Sequence, residues 1–299
     1  MRIAVHVLAY DVDRYINAML RNVAPHVDKI YLAYPKRPWN YIPTSRESRT
    51  NPTKLSSIFL KGFEGKMEII EGDWEKEEDT RNECLRRAKL AGFDWLLTQD
   101  ADEFYTDESW RQIRRTLISD QGTDLFKTTW YNFWKSSEFI IGDAQGSIKD
   151  VNAGFALRCK PELRFSRSRT TNAQTIKTLD CPCYHYGYVK SDREMYEKVT
   201  QWGHAHQFDG ERWHKLKWLN WNLNTINLCP LFPVWKRALR FPLTQPEFAH
   251  EFAIPYSTKT RFSPGEYVQE ISYDAWFNAY YGLRAVKQKV FGYKNREMI

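Results

Sequence analysis

Two carboxylates one residue apart, Asp100 and Asp102, follow an apolar run in residues 94–106, which read Asp-Trp-Leu-Leu-Thr-Gln-Asp-Ala-Asp-Glu-Phe-Tyr-Thr. A strand ending in such a pair can hold a divalent cation through oxygen ligands while the cation bridges two phosphates. Acidic residues also cap helices, and Thr106 or Asp107 would account for part of the cluster that way. The apolar strand in front of the pair decides for the ligand reading, because open α/β folds bind ligands at the carboxyl edge of the sheet.

The elements that would build such an edge lie upstream. Arg2 to Tyr10 is a β-branched apolar strand, and Asp13 can cap a helix with Ile16, Met19, Leu20 and Val23 at helical spacing. Asp28 to Tyr34 is a second strand, residues 35–53 a loop, Leu55 to Phe63 a short helix and Met67 to Glu71 a third strand. Thr80-x-x-Glu83 reads as the capping box of a helix running to about Ala91, Gly92 as its stop, and Asp94 to Thr98 as a fourth strand. This alternation predicts an α/β fold with a mostly parallel central sheet flanked by helices. Asp107 to Ser119 is amphipathic, with Trp110, Ile113, Leu117 and Ile118 as its buried side, and Leu125 to Trp134 is an aromatic strand. Beyond it the pattern is irregular and strand-like through Cys183, with helices near Arg193 to His204 and Tyr273 to Val290.

The chain has 299 residues and is 42% hydrophobic, enough to bury a sizeable core as one large domain or as one domain with a substantial appendage. Its longest apolar runs fall well short of the roughly 20 residues that cross a bilayer, and no signal peptide precedes the first strand, so a soluble cytoplasmic protein is expected. Five cysteines do not make a disulfide framework. Cys181 and Cys183 with His204, His206 and His214 raise zinc as a reading, but His and Cys scattered through a long chain are better explained by packing. Residues 1–150 carry 22 Lys and Arg against 24 Asp and Glu, whereas residues 151–299 carry 22 against 13. The basic excess therefore lies in the second half, where it suits a polyanion or, alternatively, a merely solvated face.

Three passages carry a family resemblance: Thr80-Arg81-Asn82 at a helix start, the strand into Asp100-Ala101-Asp102-Glu103, and the run from Tyr184 to Val189 that contains His185. In order and spacing they resemble the GT-A glycosyltransferases close to glycosyltransferase family 2, across roughly residues 2–206. The resemblance implies a Rossmann-like GT-A domain over 1–206, followed by a basic, aromatic-rich extension over 207–299. It implies that Asp100 meets the ribose or a metal-bound water, that Asp102 ligates Mn²⁺ or Mg²⁺, and that His185 is a further ligand. Taken alone, a histidine among aromatics is more often structural. The resemblance also places a nucleotide sugar, read as uridine-linked, against Ala9, Tyr10, Asp11, Tyr34, Pro35, Asp73 and Ala101. Arg81 at a helix start is suited to the diphosphate, since guanidinium and helix amides both favour anions. The sequence departs from the family after the second strand, where Lys36, Arg37 and Trp39 replace a common aspartate, and at Arg169 to Ala173, where relatives often carry a His-Glu pair.

An inverting transfer needs a carboxylate within reach of the acceptor hydroxyl. Asp180, Asp143, Glu138 and Glu162 are candidates, with Asp180 preferred because it closely precedes His185. The stretch from Arg212 to Trp221 interleaves Lys215 and Lys217 with Trp213, Trp218 and Trp221, and Trp235-Lys236-Arg237 continues it. Cations and indoles so arranged can form a nucleic-acid or glycan platform, or else an amphipathic helix with its indoles turned inward. The resemblance, some of whose phage-encoded members act on DNA, and the basic second half together favour hydroxymethylated bases in DNA as the acceptor, with a surface polysaccharide or lipid-linked glycan as the alternative. Paired aspartates would also serve a metal-dependent nuclease or nucleotidyltransferase, and a basic half alone would suit a non-catalytic nucleic-acid binder.

Overall fold

The protein's computed structural model describes residues 1–38, 50–59, 61–148, 152–201, 208–229, 231, 235–252, 256 and 262–291. Trp39, His204 and His206 lie outside them. The first half runs β1 (Ile3–Leu8), α1 (Ile16–Val23), β2 (Lys29–Pro35), β3 (Met67–Gly72), α2 (Glu77–Leu90), β4 (Trp95–Thr98), β5 (Glu103–Phe104), α3 (Asp107–Ser119) and β6 (Leu125–Trp134). There follow β7 (Ser136–Gly142), β8 (Asn152–Arg158), β9 (Phe165–Arg167), β10 (Thr170–Thr171) and β11 (Ile176–Tyr188). The remainder comprises α4 (Asp192–Gln201), α5 (Gly210–Trp213, continuing as a π-helical turn over His214–Leu219), β12 (Arg237–Arg240) and α6 (Pro264–Phe291). The chain divides into two compact units, one of residues 1–133, 149–189 and 242–253, the other of 134–148, 190–241 and 254–299. Among the described residues no helix is long and apolar enough to cross a membrane.

The first unit is a Rossmann-like α/β sheet in the order β6-β8-β4-β1-β2-β3. β1 pairs parallel with both β2 and β4, β2 pairs parallel with β3, and β8 runs antiparallel to both β4 and β6. All six residues of β1 are buried, as a continuous apolar run at the middle of a two-sided parallel sheet must be. Gly92 ends α2 at φ +71, the left-handed conformation that a helix stop favours.

Several local expectations fail for identifiable reasons. α2 begins at Glu77, so Thr80 lies inside its first turn, where its hydroxyl donates to Glu77 O, and Glu83 is taken by Arg86 and Arg87. Three acids, Glu77, Glu78 and Asp79, serve that helix end through its dipole in place of a capping box. Asp13 does not cap α1 but accepts a bond from Ser57 Oγ, and the expected helix at Leu55–Phe63 is a single 3₁₀ turn at Leu55–Ser57. On α3, Trp110, Ile113 and Leu117 are buried, but Ile118, one 100° step beyond Leu117, is exposed.

In the second unit β7 and β12 form an antiparallel pair, and the cation–indole segment folds inward. Trp213, Trp218 and Trp221 have no exposure, with Trp134 edge-on to Trp218 at 5.0 Å and Phe139 edge-on to Trp221 at 5.0 Å. Lys217 is fully buried, 2.8 Å from Asp274 and 3.6 Å from Glu270 of α6. The platform expected of Trp218 and Trp221 is therefore corrected, since neither indole offers a face to a ligand, whereas Lys215 is exposed. Removing the Lys217 charge strands two acids in the interior. Lys217→Ala is expected to cost about 3 kcal/mol in urea unfolding, whereas Lys215→Glu should change stability by no more than about 0.5 kcal/mol.

Candidate functional site

The ends of β1, β2 and β4 are tied together by main-chain and side-chain bonds. Gln99 N donates to His6 O and Ala9 N to Ala33 O, while Asn51 Nδ2 donates to both Ala9 O and Pro35 O. Asp11 holds φ +55, which turns the chain sharply after β1, and Val12 N donates to Thr53 Oγ1. Tyr10 and Tyr34 are half-buried on this edge, Ala9 is buried, and Asp11 is exposed. Asp73, exposed just past β3, lies 3.8 Å from Arg37 Nε.

After β4 the chain folds back on itself, with Glu103 N donating to Asp100 O and Gln99 Nε2 to Glu103 O. This turn puts Asp100 and Glu103 on one guanidinium: Arg169 Nη2 is 2.9 Å from Asp100 Oδ2 and 2.6 Å from Glu103 Oε1. Arg169 follows Ser168, at φ +44, in the β9–β10 hairpin, which comes so close to β8 that a Cβ on Gly154 would fall 2.6 Å from Arg169 O. Arg81 is fully buried, with Nη2 at 2.6 Å from Glu77 and 3.6 Å from Asp100 Oδ1. Having no exposure it cannot meet a diphosphate, so that expectation is corrected; its charge is directed at Asp100.

The electrostatics sort these groups. Although burial opposes it, the Arg169 and Arg81 charges hold the Asp100 carboxyl well below the ordinary range. Burial, with the nearby charges of Asp100 and Asp102, pushes Glu103 up to about 8 despite its contact with Arg169. His6 beneath the cluster donates from Nε2 to Thr80 Oγ1 over 3.2 Å, since the Thr80 proton goes to Glu77 O, and burial together with Arg81 pushes its pKa well down, so the ring is neutral.

Beside this cluster Asp102 faces His185. The antiparallel pairing of β5 with β11 sets His185 opposite Glu103, and Tyr186 N donates to Asp102 O. His185 Nε2 then lies 3.6 Å from Asp102 Oδ1, and a Cβ on Gly187 would fall 2.8 Å from Nε2 and 2.9 Å from Asp102 Oδ2. Glycine at 187 thus keeps open the space between the two ligand-type atoms. On its other side His185 Nδ1 is 2.5 Å from buried Asn132 Oδ1, which accepts from Nδ1–H and leaves the Nε2 lone pair towards Asp102. Either a second ring proton or a cation between the two atoms relieves that opposition. Trp130 lies 4.5 Å from the His185 ring on one side and takes the Arg169 guanidinium at 5.3 Å. Tyr15 OH, bonded to Tyr186 O and Val189 O, anchors the end of β11.

Among the described residues no group of three or more His, Cys, Asp or Glu side chains is arranged to hold a metal. The structure does not bring Asp100, Asp102 and His185 together as the expected three-ligand set, because Asp100 is paired with Arg169 while Asp102 and His185 face each other. Two such ligands still fit Mg²⁺ or Mn²⁺, which commonly take one or two protein groups plus substrate phosphates and water. The structure does not bring Asp180 to this cluster. It is exposed on β11 five residues before His185, about 16 Å away along the strand. Glu162 is exposed, Asp143 accepts from Gln145 N and Ser147 N in its own loop, and Glu138 is 3.7 Å from Arg240. For the zinc reading, all five cysteines are free and His214 Nε2 is engaged by Asp192 O. Sequence reasoning missed Arg169, Asn132, Trp130 and Gly154; its signal for the first was the departure at Arg169 to Ala173.

No family model matches the chain, and no curated protein matches it. Among solved structures it is similar to 4-diphosphocytidyl-2C-methyl-D-erythritol synthase of Anaerococcus prevotii, with TM-score 0.37, 14% identity and coverage of 64% of this chain and 91% of that one. It is also similar to a structure assigned as a glucose-1-phosphate thymidylyltransferase of Bacillus anthracis in complex with sucrose (TM-score 0.36, 11% identity, 60% and 87% covered). A third is the mannose-1-phosphate geranyltransferase of Thermus thermophilus (TM-score 0.32, 12% identity, 54% and 51% covered). Each likeness is too low in TM-score to bear on what this chain does.

Arg169 supplies the countercharge for Asp100, so its loss should be felt only while the carboxylate is ionised. The stability that Asp100 gains from its depressed pKa is present above its ordinary value of 3.8 and is lost as pH falls below it. Arg169→Leu is therefore expected to lower stability by about 3 kcal/mol at neutral pH, with the deficit shrinking below about pH 4. Thermal melts of both proteins across that range check this; a deficit independent of pH would mean that Arg169 acts through packing.

Proposed function

We propose that this chain is a metal-dependent glycosyltransferase that moves a sugar from a nucleotide-diphosphate sugar, read as uridine-linked, to a hydroxyl acceptor. The observation that supports this most is the convergence of Asp102 Oδ1 and His185 Nε2, 3.6 Å apart, beside a glycine without which they would be crowded. Mn²⁺ or Mg²⁺ held there would stabilise the charge that develops on a departing diphosphate. Asn132 sets the tautomer of His185, and Tyr15 fixes the backbone that carries it. Asp100, kept ionised by Arg169 and Arg81, is an acceptor suited to a ribose hydroxyl. Ala9, Tyr10, Asp11, Tyr34 and Asp73 provide the rest of the edge for ribose and base, beside Ala101.

The acceptor hydroxyl is read as that of a surface polysaccharide or lipid-linked glycan. Hydroxymethylated DNA, which the basic second half would suit, is the second reading, because Trp218 and Trp221, the indoles that would stack on bases, are inside the protein. A two-metal nuclease would need further carboxylates converging on the ions, whereas Asp100 and Glu103 are both bound to Arg169.

The test is to incubate the protein with labelled nucleotide sugars and Mn²⁺ and to look for free nucleoside diphosphate. Asp102→Ala should reduce its release by about 100-fold or more without altering circular dichroism. Gly187→Ala should do the same by crowding the ligand atoms. Near wild-type turnover of Asp102→Ala with Mn²⁺ would sink the assignment. Pyrophosphate release from a nucleoside triphosphate and a sugar phosphate would replace it with nucleotidyl transfer.

A further inference from the structure

The edge formed by the ends of β1 and β2 is held by three residues that come from neither strand, Asn51-Pro52-Thr53. The Asn51 side chain uses its whole hydrogen-bonding capacity there. Its Nδ2 donates to Ala9 O at 2.7 Å, just past β1, and to Pro35 O at 2.9 Å, at the end of β2. Its Oδ1 accepts from Thr53 N at 3.0 Å and from Asp11 N at 3.4 Å. Thr53, 1% exposed, accepts from Val12 N at its Oγ1 over 2.9 Å, and its carbonyl accepts from Tyr34 OH over 2.7 Å. Asn51 and Thr53 thus fix both strand ends and the sharp turn at Asp11, whose φ of +55 is a conformation that a residue other than glycine keeps where its surroundings impose it. Ala9, Asp11 and Tyr34, three of the residues proposed to line the nucleotide edge, are each bonded to one of the two.

We infer, resting on the nucleotide-sugar reading proposed above, that Asn51 with Thr53 is a positioning residue for the nucleoside half of the donor. Asn51 sets the spacing between the ends of β1 and β2, and the pair holds the Asp11 turn that borders the crevice. The arrangement needs an amide. Joining two carbonyls to two N–H groups takes a side chain that donates twice and accepts twice, and among short side chains asparagine has that capacity. An aspartate of the same shape would still accept from Asp11 N and Thr53 N, but it would set a charge against the two carbonyl oxygens. Ligands of open α/β sheets lie in the crevice outside the strand ends, so a shift at this edge moves the groups that meet the nucleoside.

Calorimetric titration with a panel of nucleoside diphosphates in Mn²⁺, beside the kinetics of donor hydrolysis, tests this. Asn51→Asp is expected to weaken binding of the diphosphate that the wild type takes by about tenfold or more. The donor KM should rise by a similar factor while kcat falls far less, because contacts to the nucleoside are made alike in the ground and transition states. Thr53→Val should act in the same direction, whereas Thr53→Ser, which keeps the hydroxyl, should retain near wild-type affinity. If Asn51 served the fold alone, Asn51→Asp would lower the melting temperature and kcat with Kd and KM unchanged, and that result overturns the inference. Should Asn51→Asp not fold, the Thr53 pair decides, equal affinities of Thr53→Val and Thr53→Ser overturning it. Wild-type protein that binds no nucleoside diphosphate would remove the proposed function, and with it this role for Asn51.

Discussion

A single guanidinium, that of Arg169, stands between a half-buried carboxylate, Asp100, and a fully buried one, Glu103, at the carboxyl edge of the sheet. Without it Asp100 would have to stay ionised beside buried Glu103 with only Arg81, 3.6 Å away, to balance its charge. With it, Asp100 stays ionised and the chain after β4 can fold back tightly enough to bring Glu103 beside it. The constraint propagates outward. The β9–β10 hairpin must reach in over β8, Gly154 must lack a side chain to let it pass, and Arg81 must lie buried in α2 to add its charge.

The same constraint divides labour among three acids that sequence alone presents as equals. Asp100 and Glu103 are paired with arginine, and Asp102, whose main chain bonds to β11, faces His185. A histidine whose Nδ1 is committed to Asn132 has only Nε2 to offer, and that nitrogen is aimed where Gly187 leaves room. The facing pair of Asp102 and His185 is therefore a remainder: it is what stands outside the arginine-bound acids.

Elements whose signal is local were legible. The apolar runs of β1 and β4, the Gly92 stop and the alternation of strand with helix all depend on neighbouring residues, and each stands where periodicity puts it. The acidic edge was legible for the same reason, since β4 leads straight into it. What sequence could not supply were partners distant along the chain. Arg169 lies 69 residues from Asp100, and Asn132 lies 53 from His185. Nothing in either residue's own neighbourhood marks it as their partner. Arg81 was identified but given the wrong partner, because a guanidinium at a helix start meets an anion whether that anion is a ligand or a buried aspartate. The indoles of α5 failed on the same ambiguity: spacing places Trp218 and Trp221 on a helix but does not say which side faces water.

That last ambiguity has a physical resolution that also accounts for α6. Burying Lys217 is tolerable only if acids come inward to meet it, and α6 supplies them as Glu270 and Asp274, four residues apart on one side of the helix. With Glu266 held in a capping box with Ser263, the helix has no acid left for its outer side. The outer side is then free to be apolar, and along its exposed length it carries no charge of either sign. Part of the basic charge of the second half is thereby neutralised inside the unit, where α6 brings two acids to Lys217. A buried lysine and an uncharged outer face are two consequences of one arrangement of charge on one helix.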